Sequence, residues 1–159
     1  MHLRNFVQSG KPVFGTCAGC ILLSDHVSSL LGGGDNSNGT TLSTLQSADV
    51  YKEKHIGGLD VNTCRNFFGR QTRSSMVKAQ SSYSEFNEFP CIFIRAPAII
   101  SSGPSVTILA TITHDGRETI VAARQGNVLG TCFHPEISGD DRVHQYFLRM
   151  IDDYMSALH

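Results

Sequence analysis

"PVFGTCAGC", residues 12–20, runs from an apolar stretch into a cysteine flanked by glycines and on to a second cysteine. Pro12 to Cys17 read as a short buried strand. AGCILLSDHVSSLL, from Ala18 to Leu31, reads as a helix with little polar face, hence a buried one. A strand followed at once by a helix needs a sharp turn, and Gly15 and Gly19 let neighbouring backbone pass close to it. Gly15-Thr16-Cys17-Ala18-Gly19 has the spacing of the G-x-S-x-G nucleophile elbow with sulfur in place of oxygen. A thiol there sits at a helix N-terminus, where the dipole favours thiolate. The next backbone N–H, that of Ala18, faces a developing oxyanion.

Outward from this turn, the pattern alternates between helix and strand. Leu3, Phe6 and Val7 fit the last turns of an amphipathic helix stopped by Gly10 and Pro12. Residues 32–54 are rich in Gly, Asn, Ser and Thr and read as a flexible surface insertion. HIGGLDVNTCRNFFG resumes as a strand with Leu59, Val61 and Thr63 alternating, and PCIFIRAPAII and SVTILATIT are further strand candidates. ETIVAARQGNVLGTCFHPE reads as a hairpin turning at Gln125-Gly126-Asn127. The chain ends on a helix whose stripe is Val143, Phe147, Met150, Ile151, Tyr154 and Leu158, with Asp140 as its N-cap. This order predicts an α/β layered fold in a single domain spanning residues 1–159.

Composition excludes several classes. Thirteen Lys and Arg against fourteen Asp and Glu leave a net charge of -1, so nucleic acid and anionic membranes are not expected partners. No apolar run approaches the ~18 residues of a membrane span. MHLRNFVQSG lacks the features of a signal peptide, and the expected compartment is the cytoplasm. The five cysteines, at 17, 20, 64, 91 and 132, are then expected as free thiols.

A cysteine nucleophile needs a base, and the base needs an orienting partner. Phe133-His134-Pro135-Glu136 supplies both at the end of the second hairpin strand. Pro135 biases His134 to an extended conformation, so His134 and Glu136 project from one stiff turn. Taken singly, a glycine-flanked cysteine is more often a small buried hydrophobe, and a histidine at a strand end a satisfied polar group. Their joint occurrence favours a catalytic set. The main competing chemistry is a redox dithiol, because Cys17-Ala18-Gly19-Cys20 also matches C-x-x-C, although that leaves His-Pro-Glu without a task. Zinc is weaker still, since the remaining histidines show no ligand spacing.

GKPVFGTCAGCILLS, GGLDVNTCRNFFGRQ, FIRAPAI and IVAARQGNVLGTCFHPEISGDDRVHQYFL together resemble the glutaminase subunit of pyridoxal 5'-phosphate synthase, a class I (triad-type) glutamine amidotransferase. The resemblance runs from about Gly10 to the C-terminal helix, interrupted at 32–54. RNxFGRQ and IRAP are much more specific than the cysteine elbow. It implies a three-layer, doubly wound, flavodoxin-like sheet. It implies hydrolysis of L-glutamine through a thioester on Cys17, with His134 as acid and base and Glu136 orienting it. It implies that ammonia passes to a partner synthase subunit, a β/α barrel, without a cofactor or metal in the glutaminase. Arg65, Ile94 and Arg95 match positions that contact glutamine, while Arg70 and Arg73 are left to a solvated face or to the rim of the synthase contact.

The resemblance also implies elements that this sequence does not contain: a first strand with a GxLxLQG-like motif and a PGGES loop carrying a second oxyanion N–H. The expectation is a chain incomplete at its N-terminal side relative to the family. Two alternatives follow: an impaired fragment that only docks on the synthase, and a C-x-x-C thiol redox protein.

Overall fold

The computed structural model describes residues 2–30, 45–47, 55–68 and 75–158. In chain order the elements are α1 (His2–Gln8), β1 (Val13–Thr16), α2 (Ala18–Leu23), β2 (Ser24–Leu30), β3 (Leu45–Ser47), β4 (Leu59–Cys64), β5 (Ser75–Lys78), β6 (Pro90–Phe93), β7 (Ala98–Ser102), β8 (Thr107–His114), β9 (Arg117–Gln125), β10 (Val128–Thr131) and α3 (Arg142–Ser156). Eight strands form a mixed sheet in the order β1-β10-β9-β7-β4-β2-β3, with β8 also paired to β9, and β5 and β6 form a separate two-stranded sheet. The pairs β1–β10 and β2–β4 are parallel; the other pairs are antiparallel.

Successive strand residues face opposite sides of a sheet, and β1 uses this to hold a helix on each face. Gly15 pairs in register with Gly130 of β10. A Cβ at Gly15 would stand 2.6 Å from the Gly19 backbone and 2.6 Å from Leu23 Cδ1, and one at Gly130 would stand 3.0 Å from Cys20 Sγ. The glycine pair is therefore a flat floor on which α2 rests directly. Phe14, one residue earlier, faces the other side and meets Phe147 and His144 of α3, with ring centroids 5.4 and 6.1 Å apart. Helix, sheet and helix thus form the α/β, flavodoxin-like arrangement that the sequence predicts. Apolar residues fill the interior, among them Leu59, Phe93, Ile99, Leu129 and Phe133, all nearly inaccessible to solvent.

The helix expected over residues 18–31 ends at Leu23. From Ser24 the chain is strand, with Val27 and Ser28 paired to Thr63 and Cys64 of β4. The buried Ser24 hydroxyl donates to the Cys20 carbonyl at 2.7 Å and receives the Thr63 hydroxyl at 2.6 Å. Its backbone N–H also closes the last turn of α2 on the Cys20 and Ile21 carbonyls. SDHVSSL holds weak helix formers, so the tertiary contacts of Ser24 decide. An apolar run alone does not separate a buried helix from a buried strand.

PCIFIRAPAII likewise divides. Pro90–Phe93 joins the small sheet, Ala98–Ser102 joins the large one, and Arg95 between them takes φ 47°. The predicted 125–127 turn is present, with Gln125 paired to Val128 and Gly126 at φ 54°. SVTILATIT and ETIVAARQ belong to one hairpin, joined by Asp115 and Gly116 at φ 48° and 71°, a two-residue turn of the kind that suits twisted strands. In α3, Val143 and Met150 are buried, but Leu158 lies beyond the helix and is 60% exposed. Asp141 holds the cap position, while the Asp140 carboxylate accepts the Arg142 N–H at 3.0 Å. Of the 32–54 stretch, Leu45–Ser47 forms the sheet-edge strand β3, and the remainder lies outside the described residues.

Candidate active site

β1 and β10 run parallel with Thr16 opposite Thr131, so their C-terminal ends open side by side, about 4.8 Å apart. Ligand sites of open α/β sheets collect at such ends. Cys17 is the first residue past β1. Its N–H donates to the Thr131 carbonyl at 2.8 Å, carrying the ladder one step into the turn. Cys17 then takes φ 48° and ψ −105°, a conformation that L residues rarely adopt, and the chain enters α2. Such strain costs about 1–3 kcal/mol and persists where the surroundings enforce it. Here the enforcing contacts are the Thr131 bond and the close approach of Gly15 to Gly19.

Past Thr131, where β10 ends, the chain runs through the buried Cys132 and Phe133 to His134. The His134 N–H donates to the Ile92 carbonyl at 2.9 Å, and Pro135–Ile137 form a 3₁₀ turn. That turn returns Glu136 to the imidazole, with Nδ1 of His134 and Oε1 of Glu136 2.6 Å apart. Burial alone would raise the Glu136 carboxyl. Hydrogen bonds from His134 and from its own backbone, with the positive charges of His134 and His144, outweigh burial and hold it below the ordinary carboxylate range. An ionised carboxylate can only accept, so Nδ1 of His134 donates to it and Nε2 is the nitrogen turned away from that bond.

Cys17 is half-buried. Burial pushes its thiol up; the Ala18 N–H works against that, and negative charge on Cys20 and Glu136 adds to it. A resting Cys17 is thus a thiol that needs a base. The Ala18 N–H is directed to the sulfur side of the turn.

Ile94 and Arg95 follow directly on β6, two and three residues beyond the carbonyl that receives the His134 N–H. Ile94 is 45% exposed despite its size, and Arg95 is one of four non-glycine residues at positive φ among the described residues. Arg65 lies elsewhere in the sheet order. It follows β4, separated from β10 by β9 and β7; its N–H donates to the Ser28 carbonyl at 3.0 Å, and its charge bears on His55. Arg70 and Arg73 lie outside the described residues. Among the described residues, no group of three or more His, Cys, Asp and Glu side chains is placed to hold a metal ion. No helix there is long and apolar enough to cross a membrane.

Two features escape the sequence reading. Ile92 anchors His134 through a main-chain carbonyl, for which no side-chain motif exists. Cys132 lies against Cys20, its S–H hydrogen-bonded to that sulfur. So Cys20 also has a thiol partner from outside C-x-x-C, one residue past β10.

The fold and the elbow define a class I glutamine amidotransferase architecture. A solved structure described as a crystal structure of glutamine amidotransferase superposes with a TM-score of 0.68 at 32% identity, covering 94% of this chain and 66% of that one. The model of the SNO glutamine amidotransferase family matches residues 1–153, and the chain belongs to that family. Relatives include pyridoxal 5'-phosphate synthase subunit PdxT of Clavibacter michiganensis subsp. michiganensis (strain NCPPB 382), 40% identical over 151 residues, 95% of this chain and 62% of that protein. The PdxT of Geobacillus kaustophilus (strain HTA426) is 40% identical over 155 residues, 98% of this chain and 66% of its own. That of Archaeoglobus fulgidus is 42% identical over 149 residues, 94% and 64% respectively. The chain therefore spans less than two thirds of the length of these relatives.

Proposed function

We propose that this chain is a glutaminase, hydrolysing L-glutamine to glutamate and ammonia as the amidotransferase subunit of a pyridoxal 5'-phosphate synthase. The observation that carries the reading is the pairing of β1 with β10. It sets the strained Cys17 turn beside the strand that leads, three residues on, to the His134–Glu136 pair.

In this reading Nε2 of His134 takes the Cys17 proton as sulfur attacks the glutamine carboxamide carbon. The oxyanion forms against the Ala18 N–H. Glu136 stabilises the imidazolium, which protonates the departing ammonia; the imidazole so regenerated then takes a proton from the water that cleaves the thioester. Arg65 and Arg95 supply cations for the glutamine carboxylate, with Ile94 at its apolar stem. No cofactor or metal is needed for these steps. Ammonia leaves for a β/α-barrel synthase subunit, in a cytoplasmic complex. Residues 1–159 act as one amidotransferase domain, with 32–54 as an insertion.

The test is release of glutamate and ammonia from glutamine by the chain, alone and mixed with a synthase barrel. Hydrolysis that disappears in Cys17→Ala supports the reading. Hydrolysis indifferent to Cys17→Ala, or none under either condition from a folded chain, overturns it.

A further inference from the structure

The glutaminase reading leaves three thiols clustered at one end of the sheet, only one of which it uses. Cys17 occupies the N-cap of α2 and Cys20 is the third helical residue. The turn between them is closed, with the Ile21 N–H donating to the Cys17 carbonyl at 3.3 Å. Helical geometry puts Cα atoms three residues apart at about 5 Å. A disulfide spans about 4.4–6.8 Å between Cα atoms, and this spacing falls within that range. Access is unequal: Cys17 is half-buried, while Cys20 and Cys132 are closed to solvent. An oxidant in solution meets Cys17 first, and Cys20 lies one turn behind it. From below, the Cys132 S–H points at the Cys20 sulfur, ready to meet negative charge that develops there.

We propose that Cys17–Cys20 is an oxidative modification site, in which Cys20 captures a peroxide-oxidised Cys17 as a reversible disulfide. In the first step the Cys17 thiolate attacks one peroxide oxygen; the O–O bond breaks, leaving Cys17 sulfenic acid and hydroxide, which takes up a proton as water. In the second, the Cys20 sulfur attacks the Cys17 sulfur, its proton leaves with the departing hydroxide as a second water, and the S–S bond forms. Two thiols are oxidised by two electrons and one peroxide is reduced to two waters. The disulfide protects Cys17 from irreversible oxidation to sulfinic acid. It would halt any chemistry that needs the thiol, but the site does not depend on the glutaminase reading.

The experiment treats the 159-residue chain with hydrogen peroxide at about pH 9, where more of the thiol is ionised, and maps the product by peptide mass without reduction. The expected product is a Cys17–Cys20 peptide lighter by two hydrogens, about 2 Da, restored by dithiothreitol. In Cys20→Ala the expected product is Cys17 heavier by two oxygens, about 32 Da, and not restored. Equal accumulation of Cys17 sulfinic acid in the parent and in Cys20→Ala would overturn the proposal. Should Cys20→Ala fail to fold, the parent map alone decides: sulfinic acid at Cys17, or a crosslink between other cysteines, refutes it.

Discussion

The Cys17 N–H donates to the Thr131 carbonyl at 2.8 Å, and three residues after Thr131 comes His134. This one bond ties the elbow to the strand that delivers the histidine, although 114 positions separate Cys17 from Thr131 in the chain. It also helps hold Cys17 at φ 48°, so position and strain share a cause.

Relief of that strain separates two inactivating substitutions. Cys17→Ala and Cys17→Gly both remove the sulfur, and each is expected to lower glutamine turnover by about 10⁴-fold or more. Glycine alone accepts the backbone conformation without penalty. Cys17→Gly should therefore be the more stable of the two, by about 1 kcal/mol after its own entropy cost. Urea unfolding of both variants, read as the shift in midpoint, checks this.

Gly15 and Gly130 both floor α2, yet they differ in what a methyl group would meet. At Gly15 it would strike the Gly19 backbone at 2.6 Å; at Gly130 it would strike the ends of side chains, Leu59 Cδ2 at 2.9 Å and Cys20 Sγ at 3.0 Å. Side chains can turn aside where backbone cannot. Gly15→Ala is expected to cost about 2–3 kcal/mol and to displace Cys17, and Gly130→Ala distinctly less. Thermal melts of the two variants give the comparison.

Thiol reactivity should separate the cysteines. Burial raises Cys17 and pushes Cys91 up to about 12, while the hydrogen bond to Cys20, followed by burial, raises Cys132 well above its ordinary value. Thiolate is the nucleophile, so iodoacetamide should label Cys17 before Cys91 and Cys132, at a rate still climbing as the pH passes its ordinary value of 9.0. Labelling of Cys91 ahead of Cys17 would contradict the assigned burial.

Glu136 links the site to acid stability. Its carboxyl titrates below its ordinary 4.5, because the bonds from His134 and the backbone outweigh burial. A depressed carboxyl contributes stability that is present above the unfolded pKa and lost as pH falls through the folded one. Glu136→Gln should therefore lose less stability than the parent between about pH 5 and about pH 3.5. Unfolding midpoints across that window test it; parallel losses would mean that Glu136 is uncoupled from folding.

Arg142 is a structural counterpart. Its guanidinium forks onto the Asp140 carboxylate and reaches the carbonyls of Ser84 and Asn87, both at 3.0 Å, over the ring of Phe89. This fastens the start of α3 to the 84–89 turn. Arg142→Ala should cost about 1–3 kcal/mol, and Arg142→Lys should recover only part of it because a point charge cannot fork. Calorimetric melting temperatures report both.

What the sequence by itself determined lies within a few residues' reach. Glycines around Cys17 dictate an elbow, and Pro135 dictates that His134 and Glu136 share one turn, because covalent geometry alone limits where those atoms can go. The α3 stripe, which puts Val143 and Met150 in the interior, follows equally from helical period. The tertiary structure decided the rest. Whether residues 24–30 wind or extend depended on Thr63, 39 positions from Ser24, donating its hydroxyl to the buried Ser24 oxygen. Arg95 lies at a break between two sheets because Pro90–Phe93 and Ala98–Ser102 found different partners. Cys20 gained Cys132 as a partner from outside its own motif, since α2 sits flat on the Gly15–Gly130 floor. Strand pairing and burial act between residues remote in the chain, and a local pattern carries no record of which remote partner will be there.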